Sequence, residues 1–436
     1  MLPHHAGLPP GPTSGPPVQQ SPAIYRSQGV PGTGGVLKQR EEDFLVDELP
    51  LYPPSGQGEH LMLFVEKRGL STLHMTRDLA RHFGVPTSAI GYAGLKDKQA
   101  ITRQHVTVHV PGKGPEDFPS LQHDRISVLW VDLHDRKLRR GHLAGNGFSI
   151  RVRGVSPQAA LHAQRTLSIL EAKGMANSVG EQRFGQWDTN HRVGLALVLG
   201  QWQHACDLLL GPTHEQDDDD SRRAYAEGRL REAFEALPRS AGGERRVLDA
   251  LLHGKDPKQA LGRLGRMETG FMISALQSAI FNAVLRERLR AGTLDTLLEG
   301  DVAIVHGARR TTFVVDAQEA NASETAERIA RLEISPTGPM WGPKMRRAQG
   351  VPGEVEREAL AQFGVTVEDF ERFARKHKGA LDGDRRPLRV PIMYPQVEGG
   401  ADEHGTYVRC GFELPRGSFA TEVMAEVMKP EQAASA

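Results

Sequence analysis

A single carboxylate, Asp97, stands between Lys96 and Lys98 in the stretch Gly91-Tyr92-Ala93-Gly94-Leu95-Lys96-Asp97-Lys98-Gln99-Ala100-Ile101-Thr102-Arg103-Gln104. A carboxylate set among cations stays ionised and can serve as a nucleophile. Gly91 and Gly94 permit backbone angles that a Cβ forbids. The stretch therefore reads as a strand end, a sharply turned loop that a ligand can approach, and a second strand running through residues 105–110. The same residues also suit a solvated hairpin turn of alternating charge. The densest basic run follows at Asp135-Arg136-Lys137-Leu138-Arg139-Arg140-Gly141, between two strand-like segments at 126–133 and 148–152. Such a run can clamp phosphates, or it can be a solvated loop. Asn146 and Phe148 add an amide and a ring, groups that can hydrogen-bond to and stack on a base, although Phe148 taken singly also suits a core.

Other chemistries lack their residues. No G-x-x-x-x-G-K-[ST] loop is present. Gly145-Asn146-Gly147 opens like a dinucleotide fingerprint, but Ile150 stands where the third glycine belongs and a strand-like run follows. No H-E-x-x-H helix, paired-cysteine zinc site or nucleophile elbow appears. There are only two cysteines, Cys206 and Cys410, far apart in the sequence, which argues against a disulfide framework or a cysteine-rich metal site and fits a reducing cytosol. Lysine plus arginine equals aspartate plus glutamate at 54 each, so any nucleic-acid surface must come from clustering of charge. No apolar run approaches transmembrane length and no signal peptide is apparent, which predicts a soluble cytoplasmic protein with no membrane partner.

The elements that must position these residues can be read from periodicity. Residues 1–33, rich in Pro, Gly, Ser and Gln, read as a disordered tail. Strand-like runs stand at 41–48 and 60–66, and Ser71 or Thr72 can cap a helix reaching Phe83. A helix is expected over 159–173, then a glycine-containing segment at 174–186 with polar groups, Asn177 among them, able to contact a ligand or serve as a linker. From 188 to 379 the pattern turns mainly helical, with helices expected over 192–199, 203–210, 222–235, 245–253 and 270–290. The aspartates 217–220 read as a solvated loop and residues 336–347 as a Gly/Pro-rich loop. Strand character returns at 388–394 and 406–414, before a last helix over 419–428 with Ser418 as its N-cap. The fold class is α+β, a sheet domain interrupted by an inserted helical domain.

Taken together, these pieces resemble the TruD family of pseudouridine synthases. The likeness rests on the Asp97 stretch and on five further motifs in the family's order. They are Gly35-Val36-Leu37-Lys38 with Glu42-Asp43-Phe44-Leu45-Val46; Lys137-Leu138-Arg139-Arg140-Gly141 with Gly145-Asn146-Gly147-Phe148; Asn177 with Gly180-Glu181-Gln182-Arg183-Phe184-Gly185; Ser274-Ala275-Leu276-Gln277-Ser278-Ala279-Ile280-Phe281-Asn282; and Leu414-Pro415-Arg416-Gly417-Ser418-Phe419-Ala420-Thr421. It covers residues 34 to 430. It implies a mixed, largely antiparallel catalytic sheet domain, 34–181 and 388–430, interrupted by a mainly helical inserted domain, 182–387, with tails at 1–33 and 431–436. The implied reaction isomerises a uridine of tRNA, at position 13, to its C-glycoside, with no cofactor, metal or obligate protein partner. The N-glycosidic bond breaks, the base turns, and a C1′–C5 bond forms. Asp97 is the implied catalytic carboxylate, acting at C1′ or on the C2′ proton. Lys38 is the cation that orients it, Phe148 stacks on the base, Asn146 holds the base or the loop, and Arg139, Arg140 and Arg183 grip phosphates. Lys96 and Lys98 are expected to shape the loop or touch phosphate. A binding-only protein would have no need of an anion in a phosphate-rich groove, and a glycoside hydrolase would need a second facing carboxylate.

Overall fold

The computed structural model describes residues 24–156, 158–213, 219–307, 311–377 and 381–430. These fall into two compact units. The first is built from Tyr25–Ser178, Ala326–Ser335 and the chain from Pro387 onward; the second from Val179–Thr325 and Pro336–Arg386.

In chain order the first unit begins with β1 (Phe44–Pro50), β2 (His60–Arg68), α1 (Thr72–Phe83), β3 (Ile90–Tyr92), β4 (Ile101–His109), β5 (Ile126–His134), β6 (Leu143–Arg153), α2 (Ala159–Lys173) and the short β7 (Met175–Ala176). The second unit carries α3 (Asn190–Leu199), α4 (Trp202–Leu210), α5 (Asp220–Ala226), α6 (Leu230–Ala236), α7 (Gly242–Leu252), α8 (Pro257–Leu261), α9 (Arg266–Arg290), β8 (Val302–Val305), β9 (Thr311–Val314) and α10 (Ala317–Asn321). The chain continues through α11 (Ser323–Ala330), β10 (Ile334–Met340), α12 (Gly350–Ala361), α13 (Val367–Lys376) and β11 (Asp384–Pro387). It ends with β12 (Arg389–Val390), β13 (Met393–Asp402), β14 (Gly405–Pro415) and α14 (Ala420–Met428).

The large sheet runs in the order β13-β14-β6-β1-β4-β2-β5, with β3 added to β4. Its pairings are antiparallel except β1 with β4, which are parallel. One face of its β2/β4 half is apolar by strict alternation. Leu61, Leu63 and Val65 of β2 and Val106 and Val108 of β4 pack under Met75, Leu79, Ala80 and Phe83 of α1. Ser71 caps α1 by accepting the His74 N–H, and Gly84 ends it at φ 65°. The other half buries Phe44, Val46, Ile150, Val152, Cys410 and Phe412 against α2 and α14 through Leu167, Leu170, Val423 and Val427. Beneath the second unit's helices lies its own core of Val193, Leu197, Ile273, Leu276, Ile280, Trp341, Phe370 and Phe373.

Several expectations change. Residues 25–33 are not tail: Ser27 donates to Glu426 at 2.8 Å and accepts from Lys429 at 2.9 Å, and the Thr33 N–H donates to the Val427 carbonyl. Residues 1–23 and 431–436 of the expected tails lie outside the described residues. The segment 143–147 is part of strand β6 and not of a linking loop, because it pairs with β1 and β14 on both sides. The single helix expected over 222–235 is two, α5 and α6, divided where Gly228 takes φ 74°. Asp219 caps α5 by accepting the Ser221 and Arg222 N–H groups, whereas residues 217 and 218 of that aspartate run lie outside the described residues. Residues 334–340 form a strand between β11 and β8, not a loop. Its polar groups are satisfied from the side: Arg385 donates to the Thr337 hydroxyl at 2.9 Å and carbonyl at 2.7 Å. Ser418 does not cap the last helix. Phe419 holds the cap position without a side-chain bond, and the buried Ser418 hydroxyl finds no partner among the described residues. Residues 326–335 fall with the sheet unit because the buried Arg389 guanidinium donates to the Ile329 carbonyl at 2.6 Å and to Ser335 at 3.1 Å.

Candidate active site

The alternation that buries Leu61, Leu63 and Val65 continues to Lys67, which it delivers to the same covered face. Thr102 and Gln104 of β4 are likewise fully buried there. At this end the covered face turns from apolar to polar, and the loop between β3 and β4 lies over it. Lys67 donates to the main-chain carbonyl of Asp97 at 2.7 Å. The Lys96 N–H donates to the Thr72 hydroxyl at 2.9 Å, and that hydroxyl donates to Gln104 at 3.0 Å. The Gly141 N–H donates to the Ala93 carbonyl at 2.8 Å, and Gly69 N–H to the Ala100 carbonyl at 3.3 Å. The loop is thus fastened at both ends and at Asp97 itself, which holds the carboxylate in a set position before any ligand arrives.

Neither Gly91 nor Gly94 has positive φ, so the loop does not turn on left-handed glycines. Gly91 is required for close packing: a Cβ there would lie 2.4 Å from Thr107 Oγ1 and 2.6 Å from the Leu138 carbonyl oxygen. A Cβ on Gly94 would meet only Lys96 Nζ, at an ordinary contact distance of 4.0 Å.

The Asp97 carboxylate is about one-third exposed and pairs with Lys38 Nζ at 3.3 Å. Lys38 adopts φ 55°, a left-handed conformation that costs a residue with a Cβ about 1–2 kcal/mol. Antiparallel bridging of Val36 with Arg153 holds the approach to this turn, and the Lys38 ammonium lies 4.2 Å from the centre of the Phe44 ring. A strained backbone that aims a cation at a carboxylate is a feature of working sites.

Beside this pair lies a buried network. Glu48 and Asn146 face each other in the β1/β6 register. Lys96 Nζ pairs with Glu48 at 2.9 Å and donates to the Asn146 side-chain oxygen, while Glu48 accepts the His105 N–H at 3.0 Å. Burial alone would raise the Glu48 pKa. Hydrogen bonding from His105 and the charge and hydrogen bond of Lys96 outweigh it, and the carboxyl is held below its ordinary value. Lys67 is pushed down to about 8 by burial, against the opposing pull of Asp97. With Lys38, three ammonium groups stand among three carboxylates, Asp97, Glu48 and Glu41.

The half-buried Phe148 meets Phe44 edge-on at 6.5 Å and Phe412 at 5.5 Å. The basic segment is brought to the same loop: Arg140 donates to the Tyr92 hydroxyl at 3.1 Å, and Arg416 holds the Gly141 carbonyl at 2.6 Å. Arg139 is exposed and its side chain makes no ion pair among the described residues, whereas Arg136 pairs with its neighbour Asp135 at 2.9 Å. Lys96, with a side chain only 5% exposed, is unavailable to phosphate; Lys98 is exposed. Arg103 is a structural cation, bonded to Glu66 at 2.9 Å. Arg183 belongs to the second unit, where it lies 5.1 Å from the Phe271 ring centre and burial lowers its pKa.

Other polar motif residues are structural. Asn177, in the segment read as able to contact a ligand or serve as a linker, is buried and donates to the Pro387 carbonyl at 2.8 Å. Asn282 on α9 bonds both the N–H and the carbonyl of Val179 at 2.9 Å. Sequence reasoning missed Lys67, Glu48, His105 and Phe44 as parts of the site. Lys67 had a signal in the inward alternation of β2, and Phe44 in its place within the motif Glu42-Asp43-Phe44-Leu45-Val46. Among the described residues no cluster of three or more His, Cys, Asp or Glu side chains could hold a metal ion, and no helix is long and apolar enough to cross a membrane.

A family model described as tRNA pseudouridine synthase D (TruD) matches residues 23–427. The chain is 40% identical over 411 residues to the tRNA pseudouridine synthase D of Geobacter metallireducens, covering 93% of this chain and 97% of that protein. It is 34% identical over 408 residues to that of Thermus thermophilus, covering 93% and 92%. A crystal structure described as a putative tRNA pseudouridine synthase D, from Methanosarcina mazei, superposes with a TM-score of 0.77 at 27% identity, covering 94% of this chain and 97% of that one.

Proposed function

The chain belongs to the TruD family of tRNA pseudouridine synthases, and on that premise we propose that it isomerises uridine 13 of cytoplasmic tRNA with Asp97 as the catalytic carboxylate. The observation that carries this reading is the ion pair of Asp97 with Lys38 at 3.3 Å, on a loop whose own carbonyl is held by Lys67. A carboxylate that is accessible, oriented and fixed in advance suits attack on a sugar carbon or removal of a sugar proton.

The target uridine leaves its stack to reach Asp97. The N1–C1′ bond breaks while the carboxylate either bonds to C1′ or takes the C2′ proton. The uracil turns and C5 bonds to C1′ as the bond from C1′ to the carboxylate breaks or, on the other route, as the carboxyl returns the proton to C2′. C5 then loses its proton and N1 gains one. Atoms and electrons balance within the nucleoside, so the reaction needs no cofactor. Lys38 keeps the carboxylate oriented. Phe148, supported by Phe44 and Phe412, stacks on the base, and Asn146 hydrogen-bonds to it. Arg139, Arg140 and Lys98 take phosphates, and Arg183 takes phosphate on its own unit.

The test is pseudouridine mapping of tRNA from cells lacking the protein, complemented with the wild type or with Asp97→Asn. The wild type is expected to restore the modification and Asp97→Asn to leave uridine. Full restoration by Asp97→Asn would overturn the assignment of Asp97. Modification that persists without the protein would overturn the function.

A further inference from the structure

Lys96 is adjacent to Asp97 in the chain, yet its side chain turns away from solvent. Its ammonium is shared between Glu48 Oε2, at 2.9 Å, and the side-chain oxygen of Asn146. An ammonium has three donors and no acceptor. The Asn146 atom that meets it must therefore be Oδ1, which removes the usual ambiguity in the orientation of an amide. Glu48 is only 1% exposed in its side chain and is itself oriented by the His105 N–H. Glu48 and Asn146 are opposite one another in the strand register, so both partners of Lys96 stand on adjoining strands. With Oδ1 turned inward, Nδ2 makes no hydrogen bond among the described residues, and the residue is half-buried.

We propose that Lys96, braced by Glu48, is a positioning residue that fixes the Asn146 amide so that its Nδ2 faces the extruded base as a donor to a pyrimidine carbonyl. The inference rests on the function proposed above and adds the polarity with which the site reads the base. Uracil offers carbonyl oxygens at O2 and O4 and a donor at N3. An amide locked in this sense engages a carbonyl and presents nothing that accepts N3–H on its open side.

The test uses the full-length enzyme with transcribed tRNA. Single-turnover pseudouridine formation is measured alongside tRNA affinity. Lys96→Met alone leaves a buried carboxylate unpaired, so the paired change Glu48→Gln/Lys96→Met, which removes both charges together, accompanies it. Loss of one aligned hydrogen bond is expected to lower the single-turnover rate about tenfold or more, with tRNA affinity within about twofold. In an Asn146→Ala background the paired change is expected to cost nothing further. Asn146→Asp, which places an acceptor where Nδ2 stood, is expected to be at least as slow as Asn146→Ala. Losses that multiply in combination, or an Asn146→Asp enzyme at the wild-type rate, would overturn the inference. Should the Lys96 variants fail to fold, the comparison of Asn146→Asp with Asn146→Ala decides it. Absence of pseudouridine with the wild-type enzyme would instead overturn the proposed function, and the two failures are separable.

Discussion

Lys67→Met separates the electrostatic cost of a buried cation from its use. In the folded chain Lys67 is fully buried, its Nζ donates to the Asp97 carbonyl at 2.7 Å, and its pKa falls from 10.5 to about 8. Burial is the largest cause, with Lys96 adding to it and Asp97 and Glu41 opposing it. A fall of that size corresponds to about 3 kcal/mol at ~1.4 kcal/mol per pH unit. Below pH 8 both folded and unfolded chains hold the proton, and the folded state bears the whole cost. Between pH 8 and 10.5 the unfolded chain binds more protons, so this group makes the fold more stable as pH rises. Methionine fills a similar volume without charge but leaves the Asp97 carbonyl without its donor, a loss of about 1–3 kcal/mol. The variant is therefore expected to match the wild type at pH 7 or exceed it by up to about 2 kcal/mol. The difference, variant minus wild type, is expected to fall by about 3 kcal/mol between pH 7.5 and 10.5. Pseudouridine formation is expected to slow about tenfold or more at every pH, because Asp97 loses the bond that fixes its backbone. Urea unfolding across that pH range, with single-turnover assays at each pH, measures both. A stability difference that does not change with pH, or a variant that unfolds several kcal/mol more easily at pH 7, would refute the reasoning.

Arg153 donates to both Asp43 oxygens at 2.8 Å and pairs with Asp402 at 2.8 Å, so Arg153→Met leaves Asp43 buried and unpaired. It should cost about 3–5 kcal/mol in denaturant unfolding, with much of the loss recovered by adding Asp43→Asn. Gly91→Ala forces a Cβ against Thr107 and the Leu138 carbonyl, and the backbone oxygen has little room to yield. A destabilisation of about 1–3 kcal/mol in thermal unfolding is expected, with a parallel fall in rate because the basic segment and the Asp97 strand meet there. Ser418→Ala should leave the melting temperature unchanged or slightly raised, since the hydroxyl caps nothing; a loss of about 1 kcal/mol would show that it does cap the last helix.

The amino-acid sequence by itself determined what depends on near neighbours. The helix capped by Ser71 and ended after Phe83, the helix over Ala159–Lys173, and the strand at His60 follow from period and capping chemistry, and the structure has them. Spacing likewise placed one carboxylate in one loop, and the order of the motifs pointed to Lys38 as its partner 59 positions away. The tertiary structure decided how the remaining charges are used. Lys96 looked like a loop or phosphate lysine, but the β1/β6 register sets Glu48 and Asn146 side by side and the loop carries its ammonium between them. Lys67 lay in an apolar strand, and only the loop folded over that strand's covered face supplied it with an acceptor. Arg153 found its aspartates 110 and 249 positions away. Glu426 and Lys429 near the C-terminus likewise turned residues 25–33 from tail into structure. Periodicity records which face of an element is covered. Which polar group meets which depends on strand register and loop path, and those are settled by the packing of segments far apart in the chain.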